Sequence, residues 1–429
     1  MSSDPEIARL LQSAAAAQAA ARTDLARQQL ESVLTLAPEH PIALNSLGAL
    51  ALRSGDAAGA AQLFARAAAA DPSAGPLWLN LANAQRLLGD DEGERSSLLR
   101  ALDCDQRDLT ALIRLAELHE RRGEEAAAAY RWSAVVALGR GLQRPSPELA
   151  KILDHAAAYA AERTRLLGEA LDLGLARSRE GLGWSERRRF DAAIDYSLGR
   201  RSIYSNDCAG LFFPFLPADE YFDRSHFPWM AAIEAETDAI RAELEALLSS
   251  GGEGLRPYVH QDPGTPPNKW SELDNDLAWG AYFLWEYGER QEEACARCPR
   301  TAAALEALPR ADIPGRAPSA FFSLLRPRTR IPPHTGVSNT RAIVHLPLIV
   351  PDGCAFRVGG ETRPWRVGEA FAFDDTIEHE AWNDSDELRA LLIFDVWNPH
   401  LTETEKRLLQ DFYRVADASG RNPEPRERL

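Results

Sequence analysis

The stretch His334-Thr-Gly-Val-Ser-Asn-Thr-Arg-Ala-Ile-Val-His-Leu-Pro-Leu348 decides the reading of the C-terminal half. From Thr340 to Leu346 it alternates as a β-strand does, where successive side chains point to opposite faces. Arg341, Ile343 and His345 therefore share one face, and Ala342, Val344 and Leu346 share the other. The second set belongs in an apolar core, and the first puts two polar groups on a barrel's interior or outer surface. By the same parity Phe321, Ser323 and Leu325 lie together on the preceding strand. Strands are expected at Ala320–Leu325, Arg341–Leu348, Cys354–Val358, Glu369–Phe373 and Arg389–Val396, punctuated by Gly, Pro and Asp. Several short strands at this spacing indicate a sandwich or barrel of the jelly-roll type.

Two histidines flank these strands. His334 sits in Pro-Pro-His-Thr-Gly (332–336), and His379, 45 residues later, in Phe-Asp-Asp-Thr-Ile-Glu-His-Glu (373–380); Arg389 follows. Imidazole suits iron and other first-row metals. Two such ligands on neighbouring strands would hold a metal open to small molecules. His40, His119, His155, His226, His260 and His400 show no such pattern, and His260 is the least secure of them because its loop is unassigned.

The first third repeats itself. Gly55, Gly89 and Gly123 are spaced by 34 residues, as are Leu47, Leu81 and Leu115, and Leu30, Phe64 and Leu98; Pro38 precedes Pro72 by the same interval. A fixed period of this length, with small residues where helices touch and Pro at the boundary, is a helix-turn-helix solenoid signature. It resembles the tetratricopeptide repeat over residues 5–140, with three clear units and degenerate ends. Each helix pair cannot bury its apolar face alone, so stacking completes the core. Such an array offers a surface for a peptide or partner protein, or for self-association. A Pro-Ser-Pro break at 145–147 ends it. Residues 141–204 are read as a helical connector with a loop at Gly181-Leu-Gly-Trp184. One amphipathic helix is expected over Met230–Leu248, ending at Ser-Ser-Gly-Gly.

Bulk properties narrow the function classes. The 429 residues suffice for two or three domains. A formal charge of −16 argues against general nucleic-acid binding, which needs cationic surface. The five cysteines (Cys104, Cys208, Cys295, Cys298, Cys354) are odd in number and scattered, so a reducing cytoplasm is the expected context rather than a disulfide framework. Cys295-Ala-Arg-Cys298 stands alone, without the second pair that a structural zinc site uses. The N-terminus lacks the apolar segment of a secretory signal. No window approaches the ~18 uninterrupted apolar residues of a transmembrane helix.

The motifs quoted above, together with Phe373-Asp-Asp-Thr-Ile-Glu-His-Glu-Ala-Trp-Asn383 and Arg389-Ala-Leu-Leu-Ile-Phe-Asp-Val-Trp-Asn-Pro399, resemble the aspartyl/asparaginyl β-hydroxylase family. The resemblance spans roughly 205–402, including Phe222-Asp-Arg-Ser-His-Phe-Pro-Trp229 and Glu286-Tyr-Gly-Glu289. It implies a multidomain α + β chain: a tetratricopeptide-like solenoid (5–140), the connector (141–204), a double-stranded β-helix oxygenase domain (205–402) and a C-terminal helix and tail (403–429). Helical repeats ahead of such a domain also occur in that family. The resemblance further implies an iron(II)- and 2-oxoglutarate-dependent dioxygenase using O2, with a peptide or protein substrate that the repeats could recruit.

By motif position, His334 and His379 would be the iron ligands. The family dispenses with the usual carboxylate ligand, and Gly336 occupies the place where the His-x-Asp/Glu pattern would put it. Asp375 would act on the ligand set through water or a histidine ring. Arg389 and Ser323 match the anchor for the distal carboxylate of 2-oxoglutarate, a cationic fork beside a hydroxyl. His345 matches a contact to the proximal carboxylate. Family members commonly carry an arginine two residues before that histidine; here it is Ile343, and Arg341 on the same face could partly compensate. A halogenating oxygenase, a small-molecule or lipid hydroxylase, and a non-catalytic scaffold with a degenerate barrel remain alternatives.

Overall fold

The structure is a computed structural model and describes residues 5–422. The first four residues, and the last seven of the expected C-terminal tail, lie outside the described residues. The chain divides into two compact units, one ending at Gly181 and one beginning at Leu182.

The first unit is four helix hairpins and a long helix. The hairpins are α1 (Pro5–Ala19) with α2 (Thr23–Leu36), α3 (Pro41–Arg53) with α4 (Ala57–Ala70), α5 (Gly75–Leu88) with α6 (Asp91–Cys104), and α7 (Leu109–Arg121) with α8 (Glu125–Gly139); α9 is Pro147–Arg179. The periodic glycines fall at the hairpin turns, where Gly55, Gly89 and Gly123 adopt φ of 86°, 73° and 68°. Only glycine enters that region without Cβ strain. Stepping back one more period lands on Ala21, which also has positive φ, 55°. The array thus holds a fourth turn with positive φ, where alanine stands in the place of the periodic glycine. Asp56 and Asp90 cap the following helices by accepting from Gly59 and Gly93 backbone N–H groups. Successive hairpins bury Leu30, Phe64, Leu98, Leu115 and Trp132.

The second unit begins with α10 (Trp184–Ser197), α11 (Met230–Ala235) and α12 (Thr237–Ser249). The single helix expected over 230–248 is therefore two, broken at Glu236, whose backbone N–H bonds back to Ile233 while Thr237 Oγ1 donates to the Glu234 carbonyl. The strands are β1 (Arg256–Pro257), β2 (Trp279–Glu286), β3 (Glu289–Arg290), β4 (Ala320–Leu325), β5 (Thr329–His334), β6 (Arg341–Ile349), β7 (Cys354–Val358), β8 (Glu361–Pro364), β9 (Phe371–Phe373), β10 (His379–Asn383) and β11 (Arg389–Trp397). Helices α13 (Glu292–Arg297) and α14 (Pro299–Glu306) follow β3, and α15 (Glu403–Ala418) closes the unit behind a Thr402/Glu405 capping box.

Two antiparallel sheets form, ordered β1-β2-β4-β11-β6-β9, with β3 paired to β2, and β5-β10-β7-β8. From β4 onward the strands pass repeatedly between the two sheets, the winding of a double-stranded β-helix. The outer face of the larger sheet carries Ala342, Val344 and Leu346, packed against Ile240, Leu244 and Leu247 of α12 and Leu305 of α14. Cys295 and Cys298 are buried in this same apolar cluster, with the Cys295 thiol donating to the Leu284 carbonyl. The inner face lines a cavity.

Candidate active site

The β5–β10 ladder places the two central histidines. His379 opens β10 directly opposite His334, the last residue of β5, and an irregularity follows immediately in the register. Their ring centroids lie 4.0 Å apart. His334 Nδ1 lies 2.8 Å from the Pro332 carbonyl and His379 Nδ1 lies 3.0 Å from that of Ile377. A carbonyl only accepts, so both Nδ1 atoms carry the proton and both Nε2 atoms keep a lone pair. Burial pushes His334 down to about 4 and His379 well below the usual histidine range, where its neighbour adds to the effect. Both rings are neutral at pH 7, the state a metal ligand requires.

Beside them, Gly336 Cα faces a carboxylate. A Cβ built there would come within 2.1 Å of Asp375 Oδ2, and the Gly336 N–H donates to the Asp375 carbonyl at 2.6 Å. The missing side chain at 336 is thus what admits Asp375. The segment 207–210 ties the two histidine-bearing loops together: Asp207 N–H donates to Thr376 O, Ala209 to Gly336 O and Gly210 to Val337 O. Asp374, in the adjoining turn, accepts from Asn206 and Thr376, and burial raises its carboxyl to about 6.

Across the cavity, Arg389 opens β11 and is 1 % exposed. Its Nη1 donates to Ser323 Oγ at 3.2 Å and Ser323 O at 3.3 Å, and its guanidinium lies over Trp365. Nε has no hydrogen-bond partner, and no carboxylate pairs with this cation among the described residues. Desolvation lowers it to about 9. A buried charge so placed is costly unless an anion arrives. Ser323 Oγ also accepts from Trp279 Nε1. His345 Nδ1 accepts from Trp365 Nε1 at 3.3 Å, which leaves the proton on Nε2 as a donor; burial, then the nearby Arg389, holds the ring well below its ordinary range. Arg341 lines the same cavity, and its Nη1 is held by Asp395 Oδ2 at 2.8 Å.

The cavity, of about 670 Å³, therefore gathers His334, His379, Arg389, Ser323, His345, Arg341 and Asp375. Among the described residues no cluster of three or more His, Cys, Asp or Glu side chains forms a metal site. The donor set fits a metal held by two imidazoles whose remaining positions come from outside the protein. The orphaned Arg389 Nε, beside a hydroxyl and an imidazole N–H, fits a small diacid.

Sequence reasoning overlooked Tyr258, Trp270, Trp279, Phe356 and Trp365 as cavity wall. Trp270 stands edge-on to His334 at 4.9 Å, in a loop whose Lys269 donates to the Pro333 carbonyl. The run Trp279-Gly-Ala-Tyr-Phe283 has no polar alternation to mark which of its residues face the cavity. His260 lies at the cavity lining, bonded to Asn275 Oδ1.

Residues 234–399 match the family model described as aspartyl/asparaginyl beta-hydroxylase. Over 133 residues the chain is 40% identical to the human aspartyl/asparaginyl beta-hydroxylase, covering 30% of this chain and 17% of that protein. It is 38% identical over 181 residues to the ornithine lipid ester-linked acyl 2-hydroxylase of Rhizobium tropici, covering 42% of this chain and 60% of the relative. With human aspartate beta-hydroxylase domain-containing protein 1 it shares 35% over 217 residues, 48% of this chain and 51% of that one. The chain thus spans from about a sixth to three fifths of these relatives' lengths. Among solved structures it is similar to MamA protein, with a TM-score of 0.33 and 15% identity over 42% of this chain and 97% of that one. The sheet order, the cavity and the matched stretch agree: over residues 234–399 the C-terminal unit is similar to the aspartyl/asparaginyl β-hydroxylase family, and it is carried in one chain with tetratricopeptide-like helical repeats.

Proposed function

We propose that this unit is an iron(II)- and 2-oxoglutarate-dependent dioxygenase that hydroxylates the β-carbon of an aspartyl or asparaginyl residue in a peptide or protein. The observation that carries the cosubstrate assignment is the buried Arg389, which has a serine hydroxyl at hand and no acid. When bound, the metal supplies O2 activation: one oxygen atom goes to the substrate hydroxyl and the other to succinate, as 2-oxoglutarate loses CO2.

The chain's own groups do the rest. His334 and His379 offer Nε2 lone pairs, and the Pro332 and Ile377 carbonyls hold each ring in the correct tautomer and orientation. Arg389 and Ser323 grip the distal carboxylate, and His345 donates toward the proximal one. Arg341, held by Asp395, leaves most of that second task to His345. Asp375 acts from the space above Gly336, and the aromatic wall keeps water out.

A second reading, hydroxylation of an acyl chain, draws support from the Rhizobium relative, of whose length the chain covers more than it does of the human hydroxylase. In either reading the helical repeats serve as a recruiting surface for a partner. A cytoplasmic setting is supported by five cysteines that are all free. Among the described residues no helix is long and apolar enough to cross a membrane.

The full chain, given iron, ascorbate and 2-oxoglutarate, is expected to release succinate, and His379→Ala to abolish that release. Unchanged turnover in this variant would remove the assignment.

A further inference from the structure

Two of the groups that face the diacid are ambiguous by chemistry. A serine hydroxyl donates one hydrogen bond and accepts two, and a neutral imidazole carries its proton on either nitrogen. In this barrel two tryptophans remove the ambiguity. Trp279, on β2, pairs in register with Leu325 of β4, which places it diagonally beside Ser323 on the same sheet face. Its Nε1–H donates to Ser323 Oγ at 3.1 Å, and Arg389 Nη1 donates to the same oxygen at 3.2 Å. With both lone pairs taken, the one hydrogen bond left to the hydroxyl is the one it donates.

Trp365 comes from the other sheet, one residue beyond β8. Its Nε1–H donates to His345 Nδ1 at 3.3 Å, which leaves the imidazole proton on Nε2. Its ring stacks on Phe356, 5.6 Å away at 22°, and supports the Arg389 guanidinium from one side at 4.9 Å. Both indoles are buried, and an indole N–H only donates, so neither hydrogen bond can reverse. Arg389, Ser323 and His345 therefore all face the diacid as donors.

We propose that Trp279 and Trp365 are positioning residues that fix the hydrogen-bond polarity of this site, so that it selects ligand ends that only accept and rejects a carboxamide of the same shape. The proposal rests on the 2-oxoglutarate reading. It adds the reason an isosteric amide is refused: the amide NH2 meets a serine oxygen with no lone pair to offer, and an unmet polar group in a closed site is costly.

N-oxalylglycine and N-oxalylglycinamide share an oxalyl end and differ only at the distal group, carboxylate against carboxamide. Calorimetry on the full chain, with Mn(II) in place of iron, gives their affinity ratio without turnover. In the unmodified chain the carboxylate should bind about a hundredfold or more tighter. Trp279→Phe keeps an aromatic ring and frees a serine lone pair, so the ratio should narrow by about tenfold, through a gain by the amide. In a Ser323→Ala background the same substitution should leave the ratio unmoved, because the indole acts through that hydroxyl. Nitrogen-15 shifts of His345 in the unmodified chain should show the Nε2–H tautomer, and Trp365→Phe should give a mixture of the two. A folded Trp279→Phe that keeps the unmodified ratio overturns the proposal. So does a His345 proton found on Nδ1, a result that needs no variant to fold. Failure of both oxalyl compounds to bind would count against the cosubstrate reading instead, and the His345 proton would still decide whether Trp365 sets the tautomer.

Discussion

The two units store their information differently. In the repeat unit few polar side chains are buried, and their partners lie in the same or the next hairpin: Glu94 Oε2 meets Arg121 at 2.6 Å, though Oε1 has no hydrogen bond, and His119 meets Glu124 at 2.5 Å. In the barrel two guanidinium groups (Arg341 and Arg389), one aspartate (Asp395) and two imidazoles (His345 and His379) are buried around one cavity, brought together from residues far apart in sequence. The repeat unit therefore behaves as a stack of nearest-neighbour contacts. The barrel accepts unfavourable burial that an incoming ligand can relieve. Stability and function are aligned in the first and opposed in the second.

That contrast can be broken or sharpened by measurement. The largest effect is expected from Arg389→Met. Removing the buried cation should raise the melting temperature of the chain, since its desolvation is not offset by an acid and replacing even paired buried ions by apolar groups is often stabilising by ~1–4 kcal/mol. The same change should weaken 2-oxoglutarate binding by about a thousandfold, as truncating a buried charge partner costs several kcal/mol. Calorimetry and thermal melts together test it; a destabilised variant that still binds the diacid would erase the proposed opposition.

Asp374 gives a pH signature. Its folded pKa, about 6, lies above the ordinary aspartate value near 3.8. The folded state therefore holds this proton more tightly, and the stability so contributed is present below pH 4 and lost as pH rises through 6. A shift of this size corresponds to roughly 3 kcal/mol. Melts between pH 4 and 7 should show it in the barrel transition, and Asp374→Asn should flatten the slope.

Gly336→Ala should push the Asp375 carboxylate aside at little cost in stability, because the contact is to the end of a side chain. Metal affinity should fall by about tenfold, the usual scale for disturbing a ligand's supporting partner; titration with Mn(II) reads this directly. The smallest effect belongs to the repeats. Ala21→Gly, at φ 55°, should stabilise the first hairpin by ~1 kcal/mol and leave succinate release unchanged.

Legibility followed the same divide. The 34-residue period and its glycines are local signals, and even the fourth turn lies on the same count. The β6 parity grouped Arg341, Ile343 and His345 on one face because one strand's alternation is also local; that this face is the cavity side is seen only in the structure. The strands that carry the two central histidines were harder to see. β5 holds Pro332 and Pro333, which argue against a strand, and it sits at the edge of its sheet where proline is tolerated. β10 is only five residues long. β2 reads as an unbroken apolar run, which periodicity cannot assign. Pairings such as Arg341 with Asp395, and the approach of Asp375 to Gly336, depend on register between distant segments, and nothing in the linear order announces them.

The short segment 207–210 bears on how this protein is dissected. Its three backbone hydrogen bonds to Gly336, Val337 and Thr376 clasp the loops on either side of the histidine pair, yet it precedes the matched family region by more than twenty residues. A fragment cut at residue 234 would keep every side chain proposed to touch metal or cosubstrate and lose the clasp that sets their loops. Recombinant catalytic pieces should begin ahead of Asn206, and inactivity in shorter ones would report a missing brace rather than a missing chemistry.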